Sequence, residues 1–280
     1  MPSLPAMDFS TKINLSPHVV LLGAGASRAA FPHGDAAGRK VPLMCDLLDC
    51  LELRPFLNTA GIATNNAGFE ALYDGLASSG KHHELVREIE NRVENYFSQL
   101  RMPETATIYD YLVLSLRKKD IIASFNWDPF LALAWQRNWG VVELPRIVFL
   151  HGNVEMGVCP THQAKGGGFR NQRCNECNQA LAPTQLLFPV RHKDYSDAFI
   201  RSQWTELTQY LNYAYLFEHP RRSCEAFAMA TLQNDPWSDN PFPRTKVLAK
   251  LQEWTRLLWI EETTGRLSGK TCHELRNTSR

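Results

Sequence analysis

The chain has 280 residues, of which 44% are hydrophobic and 21% are charged. This length and composition indicate a globular protein, built either as one large domain or as a domain with a sizeable insertion, and they argue against large-scale disorder. The formal net charge is +1, from 30 basic and 29 acidic residues. Such a balance does not favour a nucleic acid as a direct partner.

No targeting segment is predicted. Residues 1–18 do not combine a charged head with an apolar core, as a secretory signal peptide does. The sequence also contains no run of about twenty apolar residues that could cross a membrane. We therefore expect a cytoplasmic protein without a membrane partner, and in that compartment crowded cysteines indicate a metal site rather than disulfides.

Three short apolar runs predict buried β-strands that end in glycine or polar residues. They are His18–Leu22, which leads into the glycine-rich Gly23–Ser27, and then Asp120–Asn126 and Arg146–His151. Helical patterns between these runs predict a parallel sheet with helices on both faces. Because ligands of such sheets bind beyond the carboxyl ends of the strands, we expect the three polar ends in one crevice.

The segments outside these strands are mostly helical in pattern. Residues 60–118 predict a helical insertion, and residues 130–139 and 197–211 predict further helices. The apolar run Tyr213–Phe217 predicts a fourth strand, and residues 247–259 predict an amphipathic helix. One helix of the insertion has a core-facing stripe of four residues spaced four apart: Leu85, Ile89, Val93 and Phe97.

The glycine-rich end of the first strand could bring its backbone close to a pyrophosphate. Glycine also serves the geometry of strand-to-helix corners, so this turn alone leaves both interpretations open. The pattern differs from the dinucleotide fingerprint of dehydrogenases, because Arg28 stands where the third glycine would be. Asp46 and Asp49 follow in a helical stretch rather than at a strand end, which disfavours an ordinary dehydrogenase.

The second and third strands end in residues that could carry chemistry. In Ser124-Phe125-Asn126-Trp127-Asp128, the Asn126 and Asp128 side chains could bind sugar hydroxyls or hold a water, although such residues also cap helices. In His151-Gly152-Asn153, the imidazole could act as a base near neutral pH, although a lone histidine is more often structural.

Two short pairs of metal-ligand residues follow the third strand. Cys159 and His162 are separated by two residues, as are Cys174 and Cys177, and eleven residues lie between the pairs. A tetrahedral zinc ion takes four sulfur or nitrogen ligands from turns of this kind. The spacing therefore predicts one zinc, and its closed set of four ligands makes the site structural rather than catalytic.

The order of these motifs resembles that of the sirtuin family, in which a GAG-x-S turn, an Asn-x-Asp tip, a His-Gly pair and a zinc ribbon follow one another. The resemblance covers about residues 18–217. It implies that NAD binds at the strand ends, with Asn126 and Asp128 on its ribose and nicotinamide side and His151 as the base. It also implies that the phosphates contact five consecutive residues: Gly23, Ala24, Gly25, Ala26 and Ser27.

The expected fold is therefore a Rossmann-like NAD-binding domain formed by residues 1–154 and 183–280, with helices on both faces of its parallel sheet. The mostly helical insertion at 60–118 belongs to this domain, and residues 155–182 form a zinc-knuckle module.

Three differences from the protein-deacylating sirtuins bear on the activity. The segment Leu186–Arg191 has Pro189 where those proteins have a glycine in the groove that pairs with the acyl-lysine peptide, and proline cannot donate to a strand ladder. The tip FNWDP resembles instead the Asn-Tyr-Asp tip of the sirtuin-like NAD hydrolases of bacterial antiphage defence. Glu218–Arg222 stands where the family places a Gly/Ser turn against the adenosine ribose.

The function expected from this resemblance is hydrolysis of NAD to nicotinamide and ADP-ribose, in antiphage defence by NAD depletion. An NAD-dependent protein deacylase is the first alternative. A non-catalytic dinucleotide sensor or assembly subunit is the second. The expected partners, besides NAD, are a sensor or partner protein and further copies of the chain.

Overall fold

The computed structural model describes residues 17–64, 67–163, 168–190 and 193–218, with the backbone alone for 212–218. The predicted amphipathic helix at 247–259 and residues 219–222 of the Glu218–Arg222 segment lie outside these described residues.

The centre of the fold is a parallel three-stranded sheet. Its strands are β1 (Val19–Leu22), β2 (Ile121–Ser124) and β3 (Arg146–Phe149), in the order β1-β2-β3. Leu22, Ser124 and Phe149 lie side by side in its register. The predicted strands and their parallel arrangement in a mixed α/β fold are confirmed. The three strands therefore end at the same edge of the sheet.

Helices occupy most of the remaining described chain, in agreement with the predicted pattern. Their bounds are α1 Ala24–Ala30, α2 Leu47–Cys50, α3 Leu53–Thr59, α4 Phe69–Ser79, α5 His83–Ser98, α6 Ile108–Ser115, α7 Phe130–Arg137 and α8 Ala198–Glu218. None of the helices in this part of the chain combines the length and the apolar character that crossing a bilayer requires.

Apolar side chains pack on both faces of the parallel sheet. Val20 and Ile122 point into a core built largely from α1 to α7, whereas Leu21 and Val148 point into a second core that is closed by α8. Strands buried in this way on both faces read as continuous apolar runs, which is why their positions were visible in the sequence. The stripe predicted on α5 also faces the core, with Ile89 and Val93 fully buried.

The fourth strand predicted at Tyr213–Phe217 is wrong, because this run continues the 21-residue helix α8. Its aromatic and apolar residues suit a strand locally. The helix, however, is established upstream, where Ile200, Trp204 and Leu207 recur at helical spacing and are buried against the sheet. A helix already propagating past Leu211 adds a further hydrogen bond for each residue that it extends over, whereas a new strand would have to start without one.

A small antiparallel sheet follows the parallel one. It consists of β4 (Met156–Val158), β5 (Gly168–Phe169) and β6 (Ala182–Pro183), in the order β5-β4-β6. Gly157 in the central strand lies so close to its neighbours that an added Cβ would approach the Leu181 Cβ to 2.8 Å. The small sheet brings the cysteine-containing turns next to the end of β3.

Candidate functional site

The carboxyl ends of the three parallel strands open onto one cavity of about 740 Å³. This volume is within the range of small-molecule sites, roughly 300–1,000 Å³. The predicted site residues that line it come from all three strand ends: Gly23, Ala24, Asn126, Asp128 and His151. The structure therefore brings together, at one edge of the sheet, residues that are up to 128 positions apart in the chain (151 − 23).

A buried hydrogen-bond network at this edge is centred on Ser27. Its hydroxyl donates to Asp128 Oδ2 at 2.6 Å, so its two lone pairs remain to accept. They are filled by the Tyr109 hydroxyl at 2.7 Å and by Asn126 Nδ2 at 2.9 Å. The second Nδ2 hydrogen of Asn126 goes to the Gly23 carbonyl, also at 2.9 Å. This network fixes the orientation of the Asn126 amide, because both neighbours on that side can only accept from it.

The fixed orientation leaves Asn126 Oδ1 without a hydrogen-bond partner among the described residues. Asn126 is only 6% exposed, and it lines the cavity. A buried acceptor left unsatisfied costs about 1–3 kcal/mol. A donor from a bound molecule would remove that cost. The amide is therefore held ready to accept a hydrogen bond from a ligand or from a water in the cavity.

Asp128 is a buried carboxyl whose two oxygens already have partners. Oδ2 accepts from Ser27, and Oδ1 accepts from the Phe130 backbone N–H at 3.3 Å. Burial raises the pKa of Asp128 to about 6, and the Ser27 hydrogen bond only partly offsets this. Burial, together with the charge of Asp128, also raises the pKa of Tyr109, so the phenol stays protonated and donates. Asp128 thus stabilises the network by accepting the hydrogen bond from Ser27.

The glycine-rich turn divides into a part that faces the cavity and a part that does not. Gly23 and Ala24 line the cavity, whereas Gly25, Ala26 and Ser27 are buried behind them in α1. A Cβ added to Gly23 would have no atom within 4 Å. The protein itself therefore does not require glycine at this position, and the open space belongs to the cavity.

The residue in place of the third glycine of a dehydrogenase has a structural partner. Arg28 Nη2 contacts Asp46 Oδ2 at 2.6 Å, and Arg28 Nη1 donates to the Val41 carbonyl at 2.6 Å. Asp46 also pairs with Lys40 at 2.7 Å. Burial acts to raise the pKa of Asp46, but the hydrogen bonds from Lys40 and from the backbone lower it overall. Arg28 and Asp46 are therefore engaged in contacts within the protein, and their presence does not require a bound ribose.

His151 lies beyond the end of β3 with its ring edge against Phe125, at a centroid distance of 4.9 Å. Its Nε2 is 3.4 Å from Lys193 Nζ, and both residues line the cavity. Its neighbour Gly152 has a different role. It has a φ of +76°, and a Cβ there would come within 2.2 Å of the Gln185 carbonyl oxygen. The glycine of the His-Gly pair is therefore a requirement of packing.

Asn153 joins the ends of β2 and β3. Its Nδ2 donates to the carbonyls of Asn126 at 3.2 Å and Asp128 at 2.6 Å, and its Oδ1 accepts from the Glu155 N–H at 2.9 Å. Asn153 is fully buried. Its contacts therefore position the loop that carries Asn126.

The four predicted ligand residues of the cysteine-containing turns converge, with their donor atoms within 4.8 Å of one another. His162 Nδ1 is 3.6 Å from the sulfurs of both Cys159 and Cys174, and Cys159 Sγ is 3.4 Å from Cys177 Sγ. The outer His162 nitrogen, Nε2, is 3.4 Å from Glu176 Oε2. This cluster could hold a metal ion.

The sequence analysis missed several residues of the site. Tyr109 contacts Ser27 across 82 positions of the chain, and no local sequence pattern marks Tyr109 as part of the site. Lys193 belongs to no recognisable motif. Trp127 stands inside the FNWD motif, but the motif was interpreted through Asn126 and Asp128 alone.

No protein-family model matches the chain, and no curated protein matches it either. Its function is therefore inferred from the residues of the cavity and of the metal-ligand cluster.

Proposed function

We propose that the cavity at the strand ends binds NAD and that the protein hydrolyses the nicotinamide–ribose bond, as the sirtuin-like resemblance implies. The observation on which this depends is the Asn126 amide, which Gly23 and Ser27 hold with its Oδ1 unpaired within the described chain, in a residue that lines the cavity together with His151. A fixed acceptor and an imidazole at adjacent strand ends can orient a hydroxyl group and remove its proton.

The charges around the cavity suit the charge distribution of NAD. Lys193 offers an ammonium group that complements the negative diphosphate. Glu70 and Asp74 on α4 line the cavity as well, and their carboxylates complement the positive nicotinamide ring. A cavity with both signs of charge fits a molecule that carries both.

In the proposed reaction, water attacks the anomeric carbon of the nicotinamide ribose as the bond to the ring nitrogen breaks. The transition state resembles an oxocarbenium ion, so orientation of the ribose and of the water contributes to the rate. Asn126 Oδ1 accepts from a ribose hydroxyl or from this water, and His151 takes the proton that the water loses. The bonding electrons leave with neutral nicotinamide, and ADP-ribose is the second product.

The segment after β6 favours hydrolysis over protein deacylation. Residues 185–190 lie outside any strand, and Pro189 has no N–H to offer a peptide. The Leu187 N–H donates to the His151 carbonyl at 2.9 Å, and the Val190 N–H donates to the Phe188 carbonyl at 2.9 Å. With these donors engaged, the segment is poorly suited to pairing with an acyl-lysine peptide.

The metal of the cysteine cluster is, in this proposal, a structural zinc ion. Three thiolates and one imidazole are the ligand set that zinc takes in closed tetrahedral sites, and the convergence of the four donor atoms fits it. The Glu176 carboxylate beside His162 Nε2 would fix the orientation of that ring. The ion would hold β4 and the turns together without taking part in the reaction.

The wider role follows from the same resemblance. The proposed protein has a Rossmann-like NAD-binding domain, acts in the cytoplasm and depletes NAD in antiphage defence, together with a sensor protein or further copies of the chain. The deacylase and the non-catalytic sensor stay as alternatives that a single assay separates.

That assay measures free nicotinamide after the full-length chain is incubated with NAD, with and without an acetyl-lysine peptide. Peptide-independent release with formation of ADP-ribose supports the hydrolase. Release that requires the peptide indicates a deacylase, and measurable NAD binding without release indicates a sensor. Absence of NAD binding would contradict the proposal altogether.

A further inference from the structure

Trp127 differs from Trp135 and Trp204 in its indole N–H, which has no hydrogen-bond partner in the described part of the chain. The ring is 5% exposed, yet Nε1 has no hydrogen-bond acceptor among the described residues. By contrast, Trp135 Nε1 donates to the Pro145 carbonyl at 2.9 Å, and Trp204 Nε1 donates to the Leu150 carbonyl at 3.0 Å. Buried tryptophans usually find such an acceptor, so the exception at Trp127 calls for a physical cause.

The Trp127 ring packs between two aromatic neighbours, of which Phe97 also lines the cavity. It meets Phe97 of α5 edge to face at 5.8 Å between centroids, and Phe188 at 4.9 Å. Its backbone carbonyl accepts from the Val154 N–H at 3.0 Å. These contacts fix the ring from two sides without supplying an acceptor for Nε1.

The unpaired donor and the unpaired acceptor described above come from consecutive residues. Asn126 Oδ1 and Trp127 Nε1 are the two buried side-chain polar atoms without a partner in the described part of the chain, and both residues line the cavity. Apolar packing does not require an indole N–H, and phenylalanine has none to leave unsatisfied. A ligand in the cavity that brings an acceptor would account for the indole.

We propose that Trp127 determines specificity by donating its indole N–H to an acceptor on a planar heteroaromatic group of the bound dinucleotide. This inference rests on the proposed function. The aromatic wall formed by Trp127 and Phe97 suits a flat ring, and two parts of NAD offer a flat ring with an acceptor. These are the carboxamide carbonyl of nicotinamide and the ring nitrogens of adenine.

The test is the substitution Trp127→Phe in the full-length chain, with Trp135→Phe as the matched control. Binding of NAD and of ADP-ribose is measured by calorimetry in a His151→Ala background, in which we expect turnover to be about a hundred- to ten-thousand-fold slower. We expect Trp127→Phe to weaken NAD binding about 5- to 100-fold, equivalent to about 1–3 kcal/mol, without lowering the melting temperature of the free protein. Trp135→Phe should lower the melting temperature and leave NAD affinity unchanged, because it removes a satisfied hydrogen bond away from the cavity.

The two ligands distinguish the two ends of the dinucleotide. ADP-ribose contains adenine but lacks nicotinamide, so a loss confined to NAD places Trp127 at nicotinamide, and an equal loss for both ligands places it at adenine. Unchanged affinity for both in Trp127→Phe would overturn the role of Trp127 while leaving NAD binding intact. If the parent chain with Trp127 binds neither ligand, the proposed function itself fails, and this inference fails with it.

A second measurement applies even if Trp127→Phe does not fold. In the unaltered indole, a new hydrogen bond slows exchange of the Nε1 proton with solvent and shifts its NMR signal when NAD or ADP-ribose is added. An indole signal of Trp127 that responds to neither ligand, under conditions where binding is seen by calorimetry, would overturn the proposal.

Discussion

The cavity at the strand ends and the cysteine cluster differ in what each lacks. The cavity lies at the edge of a sheet that has an apolar core on each face. What it lacks, among the described residues, is hydrogen-bond partners for two buried atoms, Asn126 Oδ1 and Trp127 Nε1. The cluster has four converging ligands, but its own buried core consists of three residues: Cys159, Cys174 and Leu181. A bound molecule would supply hydrogen-bond partners in a cavity that is already formed, whereas a metal ion would stabilise the fold of the cysteine cluster itself. Changes to the two regions should therefore have separable effects on activity and on stability.

The largest effect is expected at the proposed base. His151→Ala should lower the rate of NAD cleavage by about a hundred- to ten-thousand-fold, because it removes the group proposed to take the proton from water. The melting temperature and the metal content should stay close to those of the unaltered chain. His33→Ala, at an exposed histidine that does not line the cavity, is the control and should leave the rate unchanged. A folded His151→Ala protein that turns NAD over at the normal rate would end the proposed mechanism.

The next largest effect is expected in the cysteine cluster. Cys174→Ser should weaken zinc binding by at least about 100-fold and lower the melting temperature, because a thiolate ligand of a structural site is lost. Cys45→Ser, at an exposed cysteine outside the cluster, should change neither quantity. Metal analysis and thermal unfolding measure both. Full zinc content in Cys174→Ser, or less than about one zinc per chain in the unaltered protein, would contradict the structural site.

The buried carboxyl of Asp128 gives the cavity region a distinctive pH dependence. Its pKa in the folded protein, about 6, lies above the ordinary value of 3.8, so the unfolded chain ionises first. Stability from this group is therefore complete below pH 3.8 and is lost as the pH rises through about 6. The loss is at most about 3 kcal/mol, from a difference of about two pH units at 1.36 kcal/mol each.

Asp128→Asn removes this ionisation while keeping the shape of the side chain. Urea unfolding at pH 4 and pH 7 should show the free energy of unfolding shifting in favour of the variant as the pH rises. Because groups other than Asp128 are common to both proteins, the difference between the two proteins isolates this carboxyl. A difference that does not change with pH would mean that Asp128 is not destabilised by burial.

The smallest effect on the fold is expected at Gly23. A substitution there should affect ligand binding but not packing, because the space beside this residue is open. Gly23→Ala should change the free energy of unfolding by no more than about 0.5 kcal/mol, since no atom lies within 4 Å of the added methyl group. The same methyl group occupies the cavity and should weaken NAD binding about tenfold, equivalent to about 1.4 kcal/mol. Gly152→Ala is the contrasting variant, and its clash with the Gln185 carbonyl should destabilise the fold. If Gly23→Ala lowered the free energy of unfolding by as much as it weakened the free energy of NAD binding, position 23 would serve packing as well as binding, contrary to this prediction.

The sequence was informative where structure depends on neighbours along the chain. The β-branched and apolar runs of β1 and β2 identify buried strands, and the spacing of Cys159, His162, Cys174 and Cys177 predicts the cluster that could hold a metal ion. It was misleading at Tyr213–Phe217, where the outcome depends on a helix that begins fifteen residues earlier (213 − 198).

The contents of the cavity wall were harder to predict, because they depend on contacts across the fold. Ser27 was predicted from its place in the glycine-rich turn, but the contacts of its buried hydroxyl with Tyr109, Asn126 and Asp128 could not be predicted from that turn. Likewise, an unsatisfied donor such as Trp127 Nε1 becomes visible only when every possible acceptor around it has been placed. The roles of Asn126 and His151 stay predictions until the variants are measured.

The amide of Asn153 has a mechanical consequence for any ligand that touches both strand ends. The hydrogen bonds between β2 and β3 stop near Ser124 and Leu150, and beyond that point the Asn153 side chain continues the connection through the carbonyls of Asn126 and Asp128. The Val154 N–H adds a second connection by donating to the Trp127 carbonyl at 3.0 Å. The separation between the Asn126 amide and the His151 ring is therefore set by shared hydrogen bonds rather than by two independent loops. A molecule bound between them meets a preorganised pair, and little conformational entropy is left to lose when it arrives.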